Sequence, residues 1–321
     1  MTESKPGEKP GAATAVVKES PTHPPVKEVA PPKPAEVARE EAHPDESAAP
    51  TIVYEEHFAE ERHAPPPQTK DGFGPVVKGQ GRVAVIIDDL GYNGPVSMAI
   101  AKLPADLTLA VLPGGDYSRR VASTGKESGR EVILHQPMEP KGYPKLKPGP
   151  GALLSGMSDA EIEKILTTNL KSFPEVVGIN NHMGSKLTGD RRVMAKVMSL
   201  LKPRGLFFVD SRTSPASVGT AMAAAHQVAY ASRDVFLDNV PQEGEILKQL
   251  AILENQARKH GEAVGIGHPY PATLSALKSW LPGLKGRGVE LVRVSQFLEP
   301  KTARAHYPHP LVGGAKEESK R

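Results

Sequence analysis

Short apolar segments rich in β-branched residues alternate with amphipathic segments from about residue 82 to residue 298. The predicted strands cover residues 83–87, 107–112, 132–134, 176–179, 206–209, 228–231, 263–266 and 289–292. Strands that are apolar throughout and separated by helices indicate a parallel sheet with helices on both faces. The pattern therefore predicts an α/β fold, and the strand count favours a barrel of about seven or eight strands. A doubly wound open sheet is the alternative, but no glycine-rich dinucleotide motif follows any strand.

The helical pattern is clearest at residues 158–170 and 242–260. The first of these segments opens with Ser158, and Glu161 follows three residues later, which is the pattern of a capping box. In the second segment, apolar residues recur every three or four positions and form one stripe. Each segment is therefore predicted to be a helix that packs its apolar face against the sheet.

The first 80 residues differ in composition, since they contain 14 of the chain's 32 prolines mixed with Ala, Glu, Lys and Thr. A segment with so few large apolar side chains cannot bury enough surface to offset the entropy that it loses on ordering. We therefore expect a disordered Pro-rich tail or linker at residues 1–80, the barrel domain at residues 81–300 and a flexible C-terminal tail at residues 301–321.

Composition excludes several classes of function. The net charge of +3 arises without a strongly basic stretch, so nucleic acid is not an expected partner. Because the chain has no cysteine, any metal must be held by His, Asp or Glu. No segment reaches the ~18 apolar residues of a membrane span, and the N-terminus lacks the pattern of a secretion signal. The expected location is the periplasm or cell envelope if a signal or anchor precedes this sequence, and otherwise the cytoplasm.

Ionisable and metal-binding side chains follow six of the predicted strands. They are Asp88 and Asp89, His135 and Glu139, Asn181 and His182, Asp210 and Arg212, Arg233, and His268. The C-terminal ends of parallel strands meet at one face of an α/β barrel, and that face carries the active site. One shared site is therefore predicted at this face.

The residue types at this face suit a catalytic metal. Two His and one carboxylate form a normal three-ligand set for catalytic zinc, with a position left open for water. Consecutive residues that leave a strand point to different sides, so one carboxylate of the Asp88–Asp89 pair could bind the metal while the other faces the substrate as a base. These residues predict metal-dependent hydrolysis.

Six sequence blocks in order carry a resemblance to a known family. The blocks are IIDDLGYNG, LHQPMEP, GINNHMGS, FFVDSRTS, RDVFLDN and GIGHPYPATL. Through them, residues 83–298 resemble the divergent polysaccharide deacetylases. The resemblance implies a distorted (β/α) barrel. It also implies a relation to the wider polysaccharide deacetylases, which remove N- or O-acetyl groups from chitin-like or peptidoglycan-like sugars with a bound divalent metal.

The resemblance also implies residue roles. In the wider family an Asp-Asp motif supplies the base and then a metal ligand, which gives these roles to Asp88 and Asp89. The family's motif of two His separated by three residues aligns with His135 and Glu139, so that Glu139 stands where the second His would be. The late His that acts as general acid in the family corresponds to His268.

Two departures from the wider family alter the expected site. The first is that Glu139 replaces the second His. The metal, expected to be one zinc ion, would therefore be held by Asp89, His135 and His182, with Glu139 as a possible additional ligand. The arginine-bearing motif of the family is replaced by GINNHMGS, so Arg212 or Arg233 is expected to orient the base.

The expected function is a metal-dependent carbohydrate deacetylase that cleaves the amide or ester bond of an acetylated glycan. Asp210 is expected to raise the pKa of His268, and Asp210, Arg212, Arg233 and Asn181 are expected around the metal or against the substrate. One alternative is a catalytically silent barrel that binds glycan or protein in the cell envelope. A second is a phosphoester hydrolase, for which only Arg212 and Arg233 offer positive charge. The oligomeric state stays open.

Overall fold

The computed structural model describes residues 81–298. The tails predicted at residues 1–80 and 301–321 lie outside the described residues, so these two predictions stay predictions. The strands are β1 Gly81–Leu90, β2 Thr108–Val111, β3 Glu131–Met138, β4 Gly178–Met183, β5 Phe207–Asp210, β6 Tyr230–Ser232, β7 Val235–Phe236, β8 Glu262–Gly267 and β9 Val289–Leu291. The α-helices are α1 Gly94–Ala101, α2 Ser118–Glu127, α3 Asp159–Ser172, α4 Arg191–Leu201, α5 Gly219–Ala225, α6 Glu243–His260, α7 Pro271–Trp280 and α8 Val294–Leu298.

The strands form one parallel sheet in the order β6-β5-β4-β3-β2-β1-β8-β7, and β9 pairs with the beginning of β1. Only Arg233 and Asp234 separate the two edge strands β6 and β7 along the chain. The amide of Arg233 donates to Asp210 O of β5 at 3.0 Å, and that of Asp234 donates to Val264 O of β8 at 2.9 Å. The segment 230–236 therefore bridges both edges of the sheet. The predicted (β/α) barrel is confirmed.

The strands bury side chains on both faces, which explains their apolar sequences. The core between the sheet and the helices includes Val83, Val85 and Ile87 of β1. A second cluster fills the inner face and consists of Ala84, Ile86, Ala110, Ile133, Phe207, Val209, Val264, Ile266 and Val294. Because side chains alternate along a strand, the next inward positions after these apolar residues are Asp88, His135 and His268.

Three strands extend at least three residues beyond their predicted C-terminal ends. β1 continues to Leu90, β3 to Met138 and β4 to Met183, so the polar residues in these segments lie in the sheet and not in loops after it. Pairing of β3 with β4 continues through His135↔Asn180 to Met138↔Met183. The backbone hydrogen bonds of the sheet therefore fix the positions of side chains that the sequence suggested to be in turns.

The two clearest helix predictions are confirmed to within two residues. Helix α3 has Ser158 as its N-cap, and both hydrogen bonds of the capping box with Glu161 are present. Helix α6 buries Ile246, Leu250 and Leu253 on one face. Between residues 81 and 298, no helix is long and apolar enough to cross a membrane.

Replacing Phe208 with Ala is expected to destabilise the domain by about 3–5 kcal/mol. Phe208 is fully buried in β5, and its ring lies where a Cβ on Gly219 of α5 would be, so its removal leaves a cavity between sheet and helix. Urea unfolding measures this change. Ile252→Ala on α6 is the control, because its side chain is 43% exposed and its loss should change the free energy of unfolding by less than about 0.5 kcal/mol. Equal effects of the two substitutions would contradict this packing.

Candidate active site

Asp89, His135 and His182 form a compact buried group. One ligand atom from each lies within 4.8 Å of the other two. Asp89 Oδ1 is 3.0 Å from His135 Nε2 and 2.8 Å from His182 Nδ1. Neither contact has hydrogen-bond geometry, and both carboxylate oxygens of Asp89 are buried without a hydrogen-bond donor among residues 81–298. A buried carboxylate without donors is costly unless a cation compensates its charge, so this set fits a divalent metal.

A distortion of β1 directs both Asp88 and Asp89 towards this group. Asp89 has a φ of +55°, and the pairing register of β1 with β2 shifts between Ile87 and Leu90. As a result, Asp88 Oδ2 lies 3.7 Å from His135 Nε2, and Asp89 Oδ1 lies 3.0 Å from the same atom. The expectation that the two carboxylates point to different sides is therefore wrong, because the left-handed residue interrupts the alternation of the strand.

Burial and neighbouring charges separate the pKa values of the two carboxyls. Burial is the largest influence on Asp88 and raises its pKa above the ordinary value, although His135 and His268 oppose the rise. Burial would also raise the pKa of Asp89, but His182 and His135 outweigh burial and lower it well below the ordinary value. Asp89 is thus suited to remain ionised as a ligand, and Asp88 is suited to accept a proton.

His268 is held by a carboxylate from the loop after β7. Its Nδ1 is 2.9 Å from Asp238 Oδ1, and its backbone amide donates to Asp238 Oδ2 at 2.5 Å. Thr273 Oγ1 donates to the same Oδ2 at 2.8 Å. Burial would lower the pKa of His268, but the charge and hydrogen bond of Asp238 outweigh it and raise the pKa to about 9. The carboxylate beside His268 is therefore that of Asp238. The prediction that Asp210 would take this place is wrong.

Asn180 lies between Asp88 and the candidate metal-binding group of Asp89, His135 and His182. Its Oδ1 is 2.8 Å from His135 Nδ1, and its Nδ2 donates to Asp88 Oδ1 at 2.7 Å. Nδ2 is also 3.1 Å from Ser211 Oγ. The side chain is fully buried. One amide thus contacts both the imidazole of His135 and the carboxylate of Asp88.

Asp88, Asp89, His135, His182 and His268 line one pocket together with residues from the ends of several strands. Its lining comprises Asp88, Asp89, His135, Asn181, His182, Met183, Ser211, Thr213, Arg233, Phe236, Ile266 and His268. The imidazoles of His135, His182 and His268 and the carboxylates of Asp88 and Asp89 therefore face a common space. Such a combination can bind a metal, accept a proton and donate a proton in one reaction.

The sequence matches the description "divergent polysaccharide deacetylase" over residues 85–298, which is most of the part that the structure describes. The chain belongs to the divergent polysaccharide deacetylase family. This finding confirms the family that the six sequence blocks resemble.

Relatives of this family member occur in several bacteria. An uncharacterized protein of Haemophilus influenzae is 35% identical over 205 residues, which are 64% of this chain and 72% of that protein. The uncharacterized protein YibQ of Escherichia coli is 35% identical over 236 residues, and the match covers 73% of each chain. The crystal structure of an uncharacterized Agrobacterium tumefaciens protein has a TM-score of 0.62 and 31% identity, covering 69% of this chain and 91% of that one.

In this family member, the structure does not bring Glu139 into the candidate metal-binding group. Glu139 Oε1 is 2.6 Å from Lys186 Nζ, and Oε2 accepts hydrogen bonds from the backbone and side chain of Ser155, both at 2.6 Å. These bonds attach the loop after β3 to the segment after β4. His182, from the neighbouring strand, takes the place beside Asp89 and His135.

Arg233, one of the two arginines predicted near the base, has other partners. Arg233 donates from Nε to Ser211 O at 2.8 Å and from Nη2 to Arg212 O at 3.1 Å. Its guanidinium also lies over the ring of Phe236. Burial, followed by the charge of Arg212, lowers the pKa of Arg233 to about 10, so it stays charged at neutral pH. Arg233 lines the pocket, whereas Asn180 contacts Asp88 directly.

Asp210, Asn181 and Arg212 brace the loop after β5. Asp210 accepts from the backbone of Arg212 at 2.8 Å and from Ser217 Oγ at 2.6 Å. Asn181 Oδ1 accepts from the amide of Ser211 at 2.9 Å, and Asn181 Nδ2 donates to Met183 O at 2.8 Å. Asn181 also lines the pocket, but Asp210 and Arg212 are not among its lining residues.

Neither the role of Asn180 nor the contact of Asp238 with His268 was predicted from the sequence. The alternation on β4 offered a signal for Asn180, because Gly178, Asn180 and His182 occupy successive inward positions of that strand. No local pattern distinguished Asp238 from the other acidic residues after the predicted strands. Its contact with His268 depends on the pairing of β7 with β8.

Proposed function

We propose that this protein is a metal-dependent carbohydrate deacetylase that hydrolyses an N- or O-acetyl group of a glycan. The main support is that Asp88 and His268 line the same pocket as the compact group of Asp89, His135 and His182. Membership of the divergent polysaccharide deacetylase family supports the choice of an acetylated glycan as substrate. The proposed metal is zinc, because two imidazoles and one carboxylate form a common catalytic zinc set.

Asp88 is proposed as the general base that takes a proton from the attacking water. Its carboxyl is 3% exposed, and burial raises its pKa towards the pH at which it must exchange a proton. A bound divalent metal would supply Lewis-acid activation of the water and the acyl carbonyl. Asp89, fully buried and with a lowered pKa, holds the negative charge of the ligand set.

His268 is proposed as the general acid that protonates the leaving nitrogen or oxygen of the sugar. Asp238 holds Nδ1 of His268, so the proton that is transferred is the one on Nε2. The pKa of about 9 means that His268 is protonated at neutral pH and loses its proton as the pH rises through that value. The two titrating groups therefore have opposite tasks, since Asp88 must be ionised and His268 protonated.

The test compares acetate release by zinc-loaded and chelator-treated protein on acetylated chitooligosaccharides and O-acetylated glycans. We expect release by the zinc-loaded protein, and release at least about 100-fold slower after chelation or in the near-isosteric Asp88→Asn variant. Protein that holds zinc and binds these glycans without releasing acetate would overturn the proposal. That result would favour the silent glycan-binding barrel.

Replacing Asp238 with Asn is expected to shift the alkaline limb of kcat/KM to lower pH by about one unit or more. Asp238 makes the largest contribution that raises the pKa of His268, so its neutral analogue lets His268 lose its proton at lower pH. A pH profile of deacetylation measures the shift. The acidic limb, which reports the base, should move less, and an unchanged alkaline limb would show that His268 is not the acid.

A further inference from the structure

We propose that Asn180 is a positioning residue that sets the tautomer of His135 with one end of its amide and orients the Asp88 carboxylate with the other. This inference rests on the proposed function, in which His135 binds the metal and Asp88 is the base. Asn180 lies opposite His135 in the register of β3 and β4, and its side chain is fully buried. The sheet itself therefore places the amide between the two groups.

The orientation of the amide follows from the partners of its nitrogen. Nδ2 is 2.7 Å from Asp88 Oδ1 and 3.1 Å from Ser211 Oγ, and both oxygens can accept a hydrogen bond. A flipped amide would place its oxygen against the Asp88 carboxylate, where two acceptors would repel each other. Oδ1 of Asn180 therefore faces His135.

The oxygen end determines which nitrogen of His135 carries the proton. An amide oxygen only accepts hydrogen bonds, so His135 Nδ1, at 2.8 Å, must be the protonated nitrogen of the neutral ring. Nε2 is then the nitrogen with a lone pair, and it is the atom that lies 3.0 Å from Asp89 Oδ1. Asn180 thus presents to the metal-binding group the tautomer that can coordinate.

The nitrogen end determines which oxygen of Asp88 is available to react. The hydrogen bond from Nδ2 engages Oδ1, whereas Oδ2 is the oxygen that lies 3.7 Å from His135 Nε2. Oδ2 is therefore the atom that takes the proton in the proposed reaction. Asn180 has the orienting role that the sequence analysis expected of Arg212 or Arg233, since Arg233 instead binds the carbonyl oxygens of Ser211 and Arg212.

Two substitutions separate the two ends of the amide. Asn180→Ala removes both contacts, and we expect zinc affinity to fall about 10–100-fold together with a loss of kcat. Asn180→Asp keeps an acceptor for His135 but replaces the donor to Asp88 with a second carboxylate oxygen. We expect this variant to hold zinc within about threefold of the wild-type Kd and to lose about 100-fold in kcat, with little change in KM.

Zinc affinity is measured by competition with a chelating dye, and kcat and KM are measured on the glycan that the wild-type protein deacetylates. Long-range ¹H–¹⁵N spectra of the zinc-loaded protein report the tautomer of His135 directly. Nδ1 should carry the proton in the wild type and in Asn180→Asp. Asn169→Ala is the control for loss of a buried amide, because Asn169 bonds to Gln136 and Gly151 and does not line the pocket. Its zinc affinity should stay within about threefold of wild type.

Three results with the wild-type protein and the Asn180 variants would overturn the inference. They are Asn180→Ala with wild-type zinc affinity and kcat, Asn180→Ala and Asn180→Asp with equally weakened zinc binding, or a wild-type His135 that carries its proton on Nε2. Failure of the proposed function is distinguishable, because it appears in the wild-type protein as absence of zinc binding or of acetate release. An effect of Asn169→Ala as large as that of Asn180→Ala would assign both losses to folding and would also overturn the inference.

Discussion

Asp89→Asn is expected to weaken zinc binding by about a thousandfold. Structural zinc sites, which have four protein ligands, bind the ion with about 10–16 kcal/mol, so the loss of one of three ligands should cost about 4 kcal/mol. Asp89 is the only carboxylate in the compact group, and it alone neutralises part of the metal's charge there. The substitution nearly preserves shape, so the fully buried position should remain filled.

Elemental analysis and chelator competition of the folded variant measure this effect. Glu139→Gln is the matched control, because Glu139 is also a buried carboxylate near the end of β3, and its oxygens bond to Lys186 and Ser155. Zinc content should stay near one equivalent in Glu139→Gln and fall below detection in Asp89→Asn. Loss of zinc in the control with retention in Asp89→Asn would show that the metal is held elsewhere.

His268→Ala is expected to lower kcat by about 100- to 10,000-fold while the zinc content stays at the wild-type level. The reason is that His268 lines the pocket but is not part of the compact group of ligands. Without His268, the leaving group must take its proton from water, and a nitrogen leaving group should suffer more than an oxygen one because it is the more basic. Comparison of N-acetyl and O-acetyl substrates measures this difference.

His260→Ala is the control for His268→Ala. His260 is exposed at the end of α6, and its replacement should leave both kcat and zinc content within about twofold of wild type. Loss of zinc in His268→Ala would instead make this residue a ligand. An unchanged kcat with intact zinc would remove the general acid from the proposed mechanism.

The alternation of apolar and amphipathic segments was sufficient to predict the barrel, because the strands bury apolar side chains on both faces of the sheet before they reach the polar residues near their C-terminal ends. The sequence also predicted the capping box of α3, since Ser158 and Glu161 interact locally. β7 was missed because only two residues, Val235 and Phe236, form it, and two charged residues precede it. A strand this short exists only because β8 offers hydrogen bonds to it.

The site was harder to predict where its geometry depends on distant parts of the chain. The clustering of Asp89, His135 and His182 was predicted because all three lie towards the C-terminal ends of parallel strands. By contrast, the left-handed conformation of Asp89 coincides with a register shift between β1 and β2, which no property of an Asp-Asp pair indicates. The contacts of Asp238 and Asn180 could not be predicted for a similar reason, since each residue contacts a histidine more than 25 residues away in sequence.

The position of β1 in the sheet limits how early the domain can fold during translation. β1 is the first strand of the described residues, yet it pairs with β8 and β9, which are the last two strands. During translation, Asp88 and Asp89 leave the ribosome long before His268. Contacts between such distant segments form slowly, and the nascent chain must keep the apolar faces of β1 from aggregating meanwhile. We therefore expect ribosome-bound chains that end before β8 to lack the pocket and to depend on chaperones until the last strands emerge.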